Sequence, residues 1–251
     1  MTATTELGVQ LYSVRDDLGD ALPNTLQRLA GMGFTHVEPY DILSDTDGLK
    51  SAMDGAGLLA RTCHSKIHEL DRDDVISAAR TLGIDTVIIP WVQPDSIADF
   101  DGVRDLALRI NEAAAYAADY GIRLGYHNHD FEFAQKIGDQ PAYELLVSLL
   151  HEDVVLEVDT YWASVGGADV FELLPRLRDR VRFLHVKNQP ADPGDRPARI
   201  DITGRMGEIL DLTRDFVELP VVEVVVHEGD VFPSLERNAQ YFLSELSGVQ
   251  S

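Results

Sequence analysis

Cysteine is almost absent: Cys63 is the single one in 251 residues. It can neither close an internal disulfide nor build a thiolate zinc cluster, so any bound metal must be held by nitrogen and oxygen donors. Long apolar runs are missing as well. No stretch approaches the roughly 18 consecutive apolar residues of a membrane span, and the opening MTATTELGVQ lacks the basic and apolar regions of a secretory signal. The expectation is a cytoplasmic protein with no membrane partner. Lysine is scarce, 4 of 21 basic residues against 43 acidic ones, for a net charge of −22. A surface so negative repels phosphate backbones, which argues against nucleic acid as a partner. Abundant aspartate with little lysine also suits a chain kept soluble at high salt, a halophilic trait, although a high-GC genome would give part of the same bias.

What is present is an alternation. A 45% hydrophobic composition supports a globular chain. Apolar, β-branched runs of strand length recur near residues 6–12, 34–38, 58–64, 84–91, 122–128, 153–159, 181–187 and 221–228. Between them lie segments with helical punctuation. One opens with Pro23; another, 101–120, carries an apolar stripe of Val103, Leu106, Ala107 and Ile110. Gly33, Gly57, Gly83 and Gly121 stand where left-handed helix-closing residues are expected. Eight β-then-α units predict a single closed parallel (β/α)8 barrel over residues 1–251. An open doubly wound sheet would usually carry a Gly-rich phosphate loop after its first strand, and VQLYSVRDD has none. The one irregular stretch is residues 188–204, a proline-rich loop after strand seven.

Chemistry in such barrels sits at the C-terminal strand ends. Read in order, those ends carry Gln10 and Tyr12, His36 and Glu38, His64, Trp91, His127 and His129, Glu157 and Asp159, His185 and Lys187, and Glu228. Strand five ends in GYHNHDFEF, where alternation points His127 and His129 to one face and Asn128 to the other. A lone histidine is usually a hydrogen-bonded core or surface residue, and Glu38 or Glu157 could be a plain rim or interior contact. Polar or ionisable groups on nearly every one of eight consecutive strand ends exceed what scattered structural use provides.

The run LEVDTYW, then FLHVKN, then VHEGDVFPSLERNAQYF, with LGVQLYSVRD, FTHVEPYD and GYHNHDFEF before them, resembles the sugar phosphate isomerases and epimerases. These are xylose isomerase-like barrels, distantly related to endonucleases acting at abasic sites. The resemblance implies one divalent cation, manganese, cobalt, zinc or magnesium, with Asp159, His185 and Glu228 as ligands. It also implies a strand-five ligand where many members open a Glu-Asn-His run. This chain reads His127-Asn128-His129 there, which puts His127 in the ligand position and leaves His129 as the alternative. Mixed carboxylate and imidazole donors suit manganese, cobalt or zinc better than magnesium.

A keto-sugar or polyol is the expected small-molecule substrate, unphosphorylated because no Gly-rich nest or arginine cluster marks a strand end. Glu228 would take the proton beside the carbonyl, and Lys187 would stabilise the developing oxygen charge. With His127 replacing a carboxylate, Glu132, Glu157 or Lys187 would supply a second acid or base. Trp91, Trp162, Phe131 and Phe133 would wall the sugar, with Glu38, His64 and His129 facing it. Epimerisation, isomerisation and dehydration all remain open, as does a non-catalytic keto-sugar-binding barrel or a subunit of a larger enzyme. A homo-oligomer also stays open. Amidohydrolase barrels also use a His-x-His pair, but on the first strand.

Overall fold

The computed structural model describes residues 6–187, 202, 204–224 and 229–248. Eight parallel strands make the sheet: β1 (Gly8–Gln10), β2 (His36–Glu38), β3 (Thr62–His64), β4 (Thr86–Ile89), β5 (Arg123–His127), β6 (Val155–Asp159), β7 (Val181–Val186) and β8 (Leu219–Val222). Their order, β2-β1-β8-β7-β6-β5-β4-β3, closes onto itself where β2 meets β3. There the ladder is replaced by a parallel bridge between His36 and Leu59 and by a bond from the His64 N–H to the Pro39 carbonyl. The result is a nearly closed (β/α)8 barrel, the fold expected from the alternation.

Helices α1 (Leu22–Gly31), α2 (Thr46–Ala56), α3 (Arg72–Leu82), α4 (Phe100–Ala118), α5 (Phe131–Ala134), α6 (Ala142–Leu149), α7 (Thr160–Gly166), α8 (Val170–Arg176), α9 (Met206–Thr213) and α10 (Phe232–Ser247) surround the strands. Asp45, Asp71 and Asp99 cap α2, α3 and α4 through their side chains, satisfying N–H groups that the first helical turn leaves unpaired. Gly57 and Gly83 close α2 and α3 in the left-handed conformation the sequence predicts. A short antiparallel hairpin, Lys136–Ile137 with Gln140–Pro141, follows α5 and was not expected.

The main core lies between strands and helices. The barrel interior is divided along its axis. Its N-terminal half is apolar, filled by Ile88, Val155, Phe183, Leu219 and Val221. Gly8 and Gly125 face this plug, and a methyl group at Gly125 would overlap Ile88. The C-terminal half is filled by Gln10, Glu38, His64, His127, Glu157 and His185, all buried. Burying so many ionisable groups is expensive unless each finds a partner. The apolar plug therefore forms a dry floor under a polar site.

Candidate active site

Strand register brings the polar side chains level. His127 pairs with Glu157, and Asp159 pairs with His185. Facing inward from four neighbouring strand ends, His127, Asp159, His185 and Glu223 place one donor atom each within 4.8 Å of one another. A second group, His64, His127, Glu157 and His185, meets the same distance limit one layer deeper.

Hydrogen bonds distinguish the two groups. His185 Nε2 lies 2.7 Å from Glu38 Oε1 and 3.2 Å from Glu157 Oε2, whereas its Nδ1 faces Glu223 Oε2 at 3.2 Å. His127 Nδ1 lies 3.0 Å from Glu157 Oε2. His127 thus turns one nitrogen to an inner glutamate and points the other at the outer group, whereas His185 holds the inner glutamates with Nε2 and meets Glu223 of the outer group with Nδ1. An imidazole anchored to a carboxylate through one nitrogen is the usual arrangement for a metal ligand. His64 Nε2 sits 2.8 Å from Glu157 Oε2 and 3.1 Å from Glu38 Oε1, and Gln10 Nε2 donates to Glu38 at 2.7 Å. Glu38 Oε1 and Glu157 Oε2 of the inner layer are already hydrogen-bonded to the histidines, so this layer orients the outer one. The outer set of two imidazoles and two carboxylates fits a divalent cation, and hard and borderline metals are both compatible with it.

The charges reflect this layering. Burial opposes ionisation of Glu38, yet His64 and His185 hold its carboxyl well below the usual range. Glu157 is pushed up to about 7 by burial and by the Glu38 charge. Burial also pushes Asp159 up to about 7, assisted by Glu223. Burial opposes ionisation of Glu223 as well, but the charges of His185, His64 and His129 and the His185 hydrogen bond together hold its carboxyl low. Against the pull of burial, Glu38 and Glu157 raise His64 to about 9. Burial, with His185 and His64 adding to it, lowers His127 well below the ordinary histidine value. A neutral imidazole is the form that can ligate a metal.

Above this floor lies a cavity of about 380 Å3 lined by Tyr12, Tyr40, His64, Pro90, Trp91, His127, His129, Trp162 and Glu223. Trp91 packs edge-on against Phe131, and the His129 ring stacks on Phe131. Lys187 closes a small neighbouring recess with Asp159, Trp162, His185 and Glu223, its Nζ 4.3 Å from the Tyr161 ring centre.

Several expectations change. Among the described residues strand eight ends at Val222 and the carboxylate it brings to the site is Glu223; Glu228 lies outside the described residues, as does most of the loop expected at 188–204. Register against β7 sets this end, Val222 pairing with Val186, a tertiary constraint invisible in the uninterrupted VVEVVV run. Glu38 does not face the open cavity but bonds Gln10, His64 and His185 beneath it. Glu157 points into the same layer. Glu132 is fully buried, accepting from the Tyr126 hydroxyl at 3.0 Å and the His129 N–H at 2.9 Å, and does not line the cavity. Phe133 packs on Tyr143 in the core, because FEFA is a helical turn that sends Phe131 and Phe133 to different sides. Tyr40, like Glu223, was missed. It follows Glu38 by two positions, so strand alternation extended past β2 could have found it.

No curated protein matches the sequence. Among solved structures, a sugar phosphate isomerase/epimerase from Parabacteroides distasonis superposes with a TM-score of 0.80 at 22% identity, covering 96% of this chain and 94% of that one. A xylose isomerase-like TIM barrel protein from Mycobacterium smegmatis in complex with magnesium gives 0.70 at 16% identity, covering 97% of both. The 3-keto-D-glucoside 4-epimerase of E. coli gives 0.70 at 16%, covering 95% of this chain and 99% of that one. The family model described as xylose isomerase-like TIM barrel matches residues 26–213, and the chain belongs to that family.

Proposed function

We propose that this chain is a divalent-metal-dependent enzyme acting on a keto-sugar or keto-polyol by proton transfer at the carbon beside the carbonyl. The observation that carries the reading is the convergence of His127, Asp159, His185 and Glu223 within 4.8 Å on the floor of an aromatic cavity. When bound, the cation would supply Lewis-acid polarisation of a substrate carbonyl. The names of the E. coli and Parabacteroides structures, a keto-glucoside epimerase and a sugar phosphate isomerase/epimerase, support the same class of chemistry.

Roles follow from position. Glu223, ionised and at the cavity wall, takes the substrate proton, the part first given to Glu228. Lys187 stands beside it to oppose negative charge developing on oxygen. Trp91, Trp162, Tyr12 and Tyr40 present ring faces and edges to the C–H surfaces of a sugar. Glu38 and Glu157 keep His185 and His127 oriented. The described lining holds no lysine or arginine; Lys66 and Arg15 lie over Trp91 and Tyr12 instead. An unphosphorylated substrate fits this lining best. Dehydration is the second reading, favoured by His127: with an imidazole on strand five, fewer carboxylates are available to return a proton to the opposite face.

The test is metal analysis of the purified protein, then proton exchange from a panel of keto-sugars into deuterated water. About one divalent ion per chain and exchange at one carbon are expected. Asp159→Asn and His185→Ala should lose metal and exchange together with little change in far-UV circular dichroism. Full metal occupancy in both variants would remove the site; a metal-free wild type that binds a keto-sugar without exchange would make the barrel a binding protein.

A further inference from the structure

Three fully buried side chains continue the strand-to-strand bonding above the last rungs of the barrel ladder. The β5–β6 ladder ends at His127 and Glu157. Just beyond it, Asn128 Oδ1 accepts from the Asp159 N–H at 3.1 Å and Asn128 Nδ2 donates to the Asp159 carbonyl at 3.2 Å. The β6–β7 ladder ends at Asp159 and His185, and Thr160 Oγ1 donates to the His185 carbonyl at 3.1 Å. The β1–β8 ladder ends at Val9 and Val222. Past it, Ser13 Oγ accepts from the Val224 N–H at 3.0 Å, gripping the residue next to Glu223. Asn128, Thr160 and Ser13 all have zero exposure.

Buried strand-end backbone groups need partners, and this need alone could be met anywhere on the rim. Here the partners fall on Asp159, on His185 and beside Glu223, and each spans a different strand pair. We propose that Asn128, Thr160 and Ser13 are positioning residues that fix the spacing of the metal donors Asp159, His185 and Glu223. Asn128 thereby gains a reason to point away from its histidine neighbours: it replaces a missing ladder rung with one side-chain amide. Such bridges hold the donors where unpaired strand ends would splay, so the site is formed before a cation arrives. The proposal rests on the metal reading given above.

The experiment is Mn2+ titration of metal-stripped wild type, Asn128→Ala, Thr160→Val, Ser13→Ala, Asp159→Asn and Asn238→Ala. Co2+ absorption spectra and metal-free melting temperatures are recorded in parallel. Asn238 is a stability control: it is buried and bonded to the Ser234 carbonyl at 2.9 Å on α10. The three positioning variants should weaken Mn2+ by about 10–100-fold, the usual effect of removing an outer-shell partner, and alter the Co2+ ligand-field bands. Asn238→Ala should lose stability with unchanged affinity and spectrum. If the three variants bind Mn2+ like the wild type while Asp159→Asn does not, the positioning role is overturned and the metal site stands. If Asp159→Asn also binds like the wild type, the metal site itself falls and takes the proposal with it. Should Asn128→Ala fail to fold, the near-isosteric Thr160→Val and Ser13→Ala carry the same comparison.

Discussion

A carboxylate buried without a cation beside it becomes a weak acid, and Glu132 is such a group. Burial raises it from the ordinary 4.5 to about 8, against the bonds it accepts from the His129 N–H and the Tyr126 hydroxyl. Because the folded value is raised, the protonated form is favoured by folding. The chain thus loses stability as pH rises from about 4.5, where the unfolded carboxyl ionises, to about 8, where the folded one does. A glutamine can keep both contacts, its oxygen accepting from the N–H and its amide donating to the Tyr126 hydroxyl. Glu132→Gln should therefore melt progressively higher than the wild type between pH 5 and pH 8 and match it most closely at the acidic end. Melting curves across that range check it; a difference independent of pH would show that Glu132 is not titrating there. The result would also separate this residue from the catalytic acid that the sequence suggested, since a catalytic loss by the glutamine variant without a pH-dependent stability gain would restore that role.

Elements were legible where local pattern determined them and illegible where neighbours did. The β/α alternation, the glycine closures at Gly57 and Gly83 and the long helix expected over 101–120, found at Phe100–Ala118, all follow from periodicity and caps. The convergence of Asp159, His185 and the strand-five histidines was likewise readable, because parallel strands of one barrel must end on one rim. The choice of Glu223 was not, since it depends on where β7 stops pairing with β8. Nor could the sequence tell that Glu38 and Glu157 form a lower layer, for a glutamate at a strand end has the same local signature whether it faces solvent or a histidine. Packing within the apolar plug adds a prediction at this scale. Gly125 on β5 faces Ile88 on β4 and Val155 on β6, where an added methyl would overlap Ile88 and lie 3.2 Å from Val155 Cγ2. Gly125→Ala should cost about 1–3 kcal/mol by overpacking; Ile88→Ala, destabilising on its own because it empties a buried site, should free the space, so that the double variant loses less than the two single losses added together. Denaturant melts of the single and double variants test this. If the double variant is less stable than the sum of its parts, Ile88 is not the obstacle.

At the scale of the molecule, charge sets the expectation. The chain carries 43 acidic residues against 21 basic ones, and many of its cations are already committed. At the N-terminal mouth of the barrel, Glu218 alone is contacted by Arg61, Arg123 and Arg182, and Arg123 also meets Asp85. Elsewhere Lys50, Arg104, Arg205 and Arg214 pair with acids on their own helices or adjoining turns, at exposed sites where such pairs contribute little. The remaining carboxylates therefore repel one another across the surface. Folding brings them closer than in the extended chain, so the net charge of −22 opposes the compact state. Raising salt shortens the screening length from about 10 Å at 0.1 M to about 3 Å at 1 M, which removes repulsion between exposed charges while leaving the buried glutamate–histidine layer largely unscreened. The melting temperature should consequently rise between 0.1 and 2 M potassium chloride. Sodium sulfate strengthens apolar burial as well, so potassium chloride is the salt that isolates charge screening. A second arm fixes the cause: replacing exposed Asp119, Asp153 and Glu236 with lysine should raise stability at low salt and flatten its salt dependence. A melting temperature that stays level across the potassium chloride series would mean that the acidic surface is not a burden on the fold.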